Sequence, residues 1–307
     1  MKSTSSLLSL AVVLLLGLAA GCTSSRSITA SGKVTPKGAF KIGGNSSFNI
    51  STAPLAAIDE VTESAVEAIE NRDTLAYEDF RGLSRGLLAY SLDPIAPNTD
   101  FYIRYGLARR VDVGYKFASG AHVFDGMYQF MGGLGTPDKP GPAGLHGSIG
   151  LQYATQNADL PGKRFLDRLG SVFNYDLSRR DLLIPLVFSH SFGPEEQYGN
   201  ISWGLVYGHT TITYGFAPAE LFVRMAGDRV EKLEPFEEKE GFSSYGAFFN
   251  AKIGFKYAYL LPALSIYYQD YGTYNLFGLQ QESYKGMSFI PSLGLQINLG
   301  YGKALRR

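Results

Sequence analysis

Over most of its length the chain alternates apolar and polar residues. In RRVDVGYKF (Arg109–Phe117), Val111, Val113, Tyr115 and Phe117 share one face, and Asp112, Gly114 and Lys116 share the other. LHGSIGLQY (Leu145–Tyr153), AFFNAKIGFKY (Ala247–Tyr257) and SLGLQINLGY (Ser292–Tyr301) repeat the pattern, as do TDFYIRYGL (Thr99–Leu107) and ISWGLVYG (Ile201–Gly208). A period of two is the side-chain period of a β-strand with one apolar and one polar face. Strands are therefore predicted near 37–50, 99–107, 110–119, 121–131, 145–155, 181–192, 199–208, 209–225 (one strand or two), 245–257, 262–271 and 286–301. Short turns such as Leu107–Arg110 and Ser119–Ala121 join them as hairpins, and Gly132–Gly144 and Ala226–Phe242 read as polar loops.

Thr52–Arg72 breaks the β pattern. Leu55, Ile58, Val61, Ala65 and Ile69 form a helical stripe, and Asp59, Glu60, Glu63, Glu67 and Glu70 fill the other faces. Thr52 can cap this helix and Pro54 suits its first turn. A helix inserted between strands could plug or narrow the lumen of a barrel, cover its mouth or lie on the membrane surface; a helical loop or cap without a gating role is the plainer reading.

The amino-terminal pattern is of another kind. Lys2 precedes an unbroken apolar or small-residue run, Leu7–Ala20, which carries no acid. It is short of the ~20 residues that span a bilayer as a helix, and it has the layout of a secretory signal peptide over 1–21. Ala19, Ala20 and Gly21 then lead into Cys22, the chain's one cysteine. This resembles the lipobox of bacterial lipoproteins, in which that cysteine is acylated and becomes the first residue of the mature chain. A cut near Ala20 that leaves a free thiol is the alternative. Residues 22–35 read as an acylated flexible tether by their Ser/Thr content, 36–301 as the β domain and 302–307 as a basic tail.

Charge excludes one class of function. Without residues 1–21 the chain holds 27 basic and 28 acidic residues, so nothing marks a nucleic-acid partner. The 20 Tyr, 20 Phe and 36 Gly with 18% charged residues suit an antiparallel transmembrane β-barrel, for which an even count of about 12 strands (10 to 14) is expected. In such a barrel the apolar faces meet lipid, and Arg104, Asp112, Lys116, His146, Ser148, Gln152, Asn250, Lys252, Lys256, Gln296 and Asn298 face the lumen. In a lipid-tethered soluble barrel that holds a small apolar ligand the faces are reversed, and Leu151, Phe255 and Leu295 point inward.

Two further resemblances bear on this choice. Ser292, Gly294, Ile297 and Leu299 resemble the C-terminal signal read by the outer-membrane barrel-assembly machinery. FYIRYGLARRVDVGYKF, GMYQFM and DLLIPLVFSHSFG resemble bacterial outer-membrane barrels of the fatty-acid and aromatic-hydrocarbon transporter type, through Tyr105, Gly106, Leu107, Asp112 and Gly114. The resemblance implies an outer-membrane location, membrane lipid and the assembly and lipoprotein-sorting machinery as partners, and a passive pore, a transporter for a small apolar or amphipathic ligand, or a structural envelope protein. An enzyme is not expected. His146 and Ser148 have the His-x-Ser spacing of outer-membrane lipid hydrolases, but Ile149 stands where those families carry asparagine. His122, His146, His190 and His209 are dispersed, without metal-ligand spacing, so neither a metal nor another cofactor is expected.

Overall fold

The computed structural model describes residues 26–53, 75–135, 139–158, 175–217, 222–224, 229–276 and 280–300. Cys22, the signal peptide, most of the acidic helix over 52–72 and the basic tail lie outside the described residues. In chain order the elements are β1 (Phe40–Phe48), β2 (Ile50–Ser51), β3 (Leu75–Ala76), α1 (Tyr77–Leu92), β4 (Pro97–Ala108), β5 (Val111–Ala118), β6 (Ala121–Met131), β7 (Gly144–Ala158), β8 (Tyr175–Phe192), β9 (Gly199–Phe216), β10 (Phe222–Arg224), β11 (Val230–Lys232), β12 (Phe236–Phe255), β13 (Ala258–Leu276) and β14 (Gln280–Leu299).

Among the described residues, ten antiparallel strands form one closed barrel, in the order β1-β4-β5-β6-β7-β8-β9-β12-β13-β14. The seam pairs β1 with β14, from Phe40 opposite Leu299 to Ser47 opposite Ser292, and β2 extends it at Ser288 and Phe289. Closure leaves no unpaired sheet edge along this seam.

The count is ten rather than about 12 because the strand read over 199–208 and the first part of 209–225 are one, and the end of the latter, β10, joins another sheet. Gly199–Phe216 pairs without interruption with β8 on one side and β12 on the other. The expected loop over 226–242 is also partly strand, since β11 lies within it and β12 begins at Phe236. The misreading has a cause: β12 continues past the apolar band, so Glu237 and Lys239 point into water and the alternation fades.

The two mouths differ. At one, the turn mouth, two-residue turns join β4 to β5 and β12 to β13, and both ends of the barrel's chain meet: β1 starts there and β14 finishes there. At the other, the strands before and after the turn at Ser119–Gly120 pair directly, and both residues have positive φ, 44° and 88°. That is the backbone of a two-residue hairpin. This second mouth also carries α1. Phe80, Ser84, Leu88 and Leu92 recur every fourth residue along α1 and are all buried. Arg81 and Arg85 pair with Glu282 of β14 at 3.5 and 3.2 Å, and Arg179 of β8 donates to the Leu92 carbonyl at 2.8 Å. That last bond satisfies a carbonyl that the helix end leaves open. The β3, β10 and β11 strands form a separate three-stranded sheet.

Side-chain direction is inverted relative to a soluble barrel. Leu151, Phe255 and Leu295 are 54, 56 and 66% exposed, and Leu293, Ile297 and Leu299 share the outer row of β14. Asp112, His146, Ser148, Asn250 and Asn298 are buried inside. The soluble ligand-binding alternative needs the reverse. On β14 the apolar row from Phe289 to Leu299 is ten residue steps long. At ~3.3 Å per step and a barrel tilt near 40°, that row stands about 25 Å tall, the height of a bilayer's apolar band. Aromatic residues edge it. Tyr207, Tyr245 and Tyr268 share one register row at the α1 side. Tyr198 and Phe255 stack at the turn side with ring centroids 5.8 Å apart.

Candidate functional site

The lumen holds the protein's own amino-terminal segment. Residues 26–35 run inside the barrel, where composition alone suggests a flexible tether. The correction has a physical basis. Eight strands make an interior that side chains alone just fill, and ten leave room for one extended chain. Ile28 and Val34 pack against the inward apolar side chains Met127, Leu183, Val187, Val206, Phe248 and Ile290. The wall is therefore not uniformly polar; it is apolar where the segment's apolar residues meet it.

Many of the segment's polar groups bond the wall, although the buried Arg26 Nε has no partner. The Thr35 amide and hydroxyl donate to Asp112 Oδ2 at 2.7 and 2.8 Å. The Val34 amide donates to Gln129 at 3.2 Å, and the Gly32 amide to Ser189 Oγ at 3.1 Å. Asn250 Nδ2 donates to the Ile28 and Ala30 carbonyls at 3.3 and 3.1 Å. The Ile28 amide reaches Ser265 at 3.3 Å, and Ser27 reaches Ser292 at 2.8 Å. A buried chain without regular structure needs such bonds, since each unmatched backbone group costs about 1–3 kcal/mol. At Gly32 the segment lies against the wall: a Cβ there would sit 2.6 Å from the His146 carbonyl oxygen and 3.0 Å from the Ser189 nitrogen.

Charged latches hold both ends. At the α1 mouth Arg26 pairs with Asp93 and bonds Gln269, its guanidinium 5.4 Å from the Tyr267 ring centroid. Asp93 also accepts from Asn49, Gln269 and Tyr271, each at 2.7 Å, and from Ser288. At the turn mouth Lys33 pairs with Glu195 at 3.4 Å, and Ser31 donates to Glu196, which pairs with Lys252 at 2.9 Å. Burial alone would raise the Glu196 carboxyl; the Lys252, Lys41 and Lys33 ammonium groups and the Ser31 hydroxyl outweigh it and bring it down to about 2. The space beside the segment is a cavity of about 80 Å³, bordered by Lys41, Arg104, Lys116, Gln152, Asn200 and Gln296 among others. That is room for a few waters.

The sequence-derived lumen residues fall as follows. Arg104 bridges Asp112, at 2.6 Å, and Asp125. Lys116, Gln152 and Lys252 line the cavity, and Gln296 Nε2 donates to Asn298 at 2.7 Å. Asn250 grips the segment. Lys256 is a correction: it lies in the β12–β13 turn with φ 54°, its ammonium 5.1 Å from the Phe255 ring centroid. Alternation breaks there because the strand has ended. In the proposed assembly signal, Gly294 is buried and Ser292 receives the Ser27 hydroxyl, while Ile297 and Leu299 point outward.

His146 and Ser148 are fully inside, away from the outer wall. His146 Nδ1 lies 2.9 Å from the Gly144 carbonyl and 3.0 Å from Ser191 Oγ. Ser148 Oγ has no hydrogen-bond partner, so the imidazole does not engage it. Among the described residues no group of His, Cys, Asp and Glu could hold a metal ion. Residues 26–35 and the cap α1 escape the sequence reading. A signal exists for each: Ile28, Ala30, Gly32 and Val34 alternate with Ser27, Thr29, Ser31, Lys33 and Thr35, and the α1 stripe recurs every four residues.

No family model and no curated protein matches the chain. Solved structures of bacterial outer-membrane proteins are similar to it at low scores. Ail, the attachment invasion locus protein of Yersinia pestis, is 8% identical with a TM-score of 0.31, over 86% of this chain and 99% of that one. Neisserial surface protein A gives 8% and 0.31, over 85% and 99%. OprG from Pseudomonas aeruginosa gives 11% and 0.27, over 88% and 99%. Likenesses this slight carry no argument.

Proposed function

We propose that the protein is a non-enzymatic outer-membrane β-barrel, acylated at Cys22, that its own segment 26–35 seals at rest and that conducts small solutes only when the segment withdraws. The segment's place in the lumen carries this reading. An outward apolar band of bilayer height supports the membrane, and the export and lipobox-like pattern before Arg26 supports the outer membrane of a Gram-negative-type envelope. An empty ten-strand barrel would leak water and ions, and a segment held by hydrogen bonds and ion pairs prevents that. The acidic helix near Leu55–Glu70 is no longer needed as the plug.

Planar-bilayer recording tests the reading. The intact chain should give almost no current. A variant lacking residues 26–34 should give discrete open steps, once heat-modifiable migration on gels shows that it has folded. A folded deletion variant that stays silent would contradict the pore and leave a purely structural envelope barrel. Incorporation of labelled palmitate, lost in Cys22→Ser, tests the acyl anchor separately.

A further inference from the structure

We infer that the amino-terminal chain threads the barrel, so that everything upstream of Arg26 leaves at the α1 mouth, across the membrane from the place where β1 starts and β14 ends. The inference rests on the spanning barrel proposed above.

The direction is read from the barrel-strand partners of seven of the ten residues. Thr35 meets Asp112, one residue in from the turn-mouth end of β5, and Val34 meets Gln129, two residues in from that end of β6. Gly32 meets Ser189, three residues in on β8, and Ala30 meets Asn250, five in on β12. Ile28 meets Ser265 and Ser27 meets Ser292, each seven residues in, on β13 and β14. Arg26 reaches Gln269, eleven residues in on β13, and Asp93, which joins α1 to β4. Along these partners the depth never decreases from Thr35 back to Arg26; Lys33 departs from the trend only through long side chains, its carbonyl taking Lys41 Nζ from one residue in on β1 and its ammonium pairing with Glu195 at the turn mouth.

The length fits as well. Nine residue steps separate Thr35 from Arg26. At ~3.3 Å per step they cover about 30 Å, the thickness of a bilayer's hydrocarbon core. The same nine steps folded back on themselves would end near the turn mouth.

One consequence concerns the lipid. Cys22 stands four residues before Arg26, a reach of at most about 14 Å. An acyl group there enters the leaflet at the α1 mouth. Were the segment outside the lumen, the same group would enter the leaflet on the turn side. The threaded segment thus decides which leaflet holds the anchor.

The test uses the full chain in intact cells, with an epitope placed singly at three positions. One lies between Ser24 and Ser25, one in the β7–β8 connection at the α1 mouth, and one follows Arg307, beyond the end of β14. Antibody binding is compared before and after permeabilisation. The first two epitopes should respond alike and the third oppositely. An epitope before Arg26 that behaves like the one after Arg307 overturns the threading and leaves the barrel reading intact. Three epitopes that all respond alike overturn the spanning barrel itself, and the inference with it. A second measurement avoids the inserts. Ser27→Cys with Ser292→Cys, in a Cys22→Ser background, should form an intramolecular disulfide in the folded protein. Failure to do so in a heat-modifiable, folded sample also overturns the threading.

Discussion

Asp93→Ala removes the acceptor on which the threaded segment, the end of α1 and the barrel wall converge. Asp93 is 1% exposed and accepts from Arg26, Asn49, Gln269, Tyr271 and Ser288. Arg26 is 4% exposed, so alanine leaves a buried guanidinium without its counter-charge. Breaking a buried pair from one side costs about 3–5 kcal/mol. The orphaned Tyr271 and Ser288 hydroxyls would add to this less than additively, because they share one network. The expected loss is about two to three and a half factors of ten in the folded-to-unfolded ratio, at about 1.4 kcal/mol per factor. Urea unfolding in phospholipid vesicles, followed by the fluorescence of the single tryptophan Trp203, measures it. Arg26→Met combined with Asp93→Leu removes both charges and should recover most of the loss, since neither charge is then left alone. A cost below about 1 kcal/mol for Asp93→Ala would refute the latch, because a buried guanidinium stripped of its partner cannot be that cheap.

Gly32→Val sets a side chain against the His146 carbonyl and the Ser189 nitrogen, both backbone atoms that cannot turn aside, so it should expel the segment and raise bilayer conductance while the barrel remains heat-modifiable. Leu295→Arg puts a charge on the outward face near mid-belt and should cost about 2–4 kcal/mol in vesicle-based unfolding, whereas Ser46→Ala on β1 should be near neutral. Glu196 has its carboxyl lowered to about 2 from an ordinary 4.5, so its contribution to stability is complete above pH 4.5 and fades as the pH falls through about 2. Unfolding followed down the pH scale should show the Glu196→Gln variant and the parent converging only near pH 2; convergence by pH 4 would contradict the carboxylate's three-lysine setting.

The barrel is legible in the sequence because strand alternation survives wherever one face meets lipid and the other the interior. Leu293, Leu295 and Ile297 against Gln296 and Asn298 are the plainest case, and their orientation, which alternation leaves open, is what the structure supplies. Strand ends are less legible. Above the row of Tyr207, Tyr245 and Tyr268 both faces of the long strands can be polar, so β9 resembles two strands and the start of β12 a loop. Placing Lys256 in the lumen extends a period one residue too far. The lumen itself is the least legible part. Ser, Thr and Lys in residues 27–35 look like a solvated tether, because in isolation nothing distinguishes a residue wetted by water from one bonded to Asp112, Ser189 or Asn250. Only the closed wall provides those partners.

The most direct test of the account is the depth of single fluorophores in vesicles whose acyl chains carry bromine quenchers. Probes on cysteines replacing Leu151, Leu295 and Phe249, all on the outer face, should be strongly quenched by the brominated lipid. A probe replacing Ser31, within the threaded segment, should be quenched little and should resist a water-soluble quencher until residues 26–34 are displaced. Strong lipid quenching at the Ser31 position, or its absence at Leu295, would contradict a membrane barrel closed by its own amino-terminal chain.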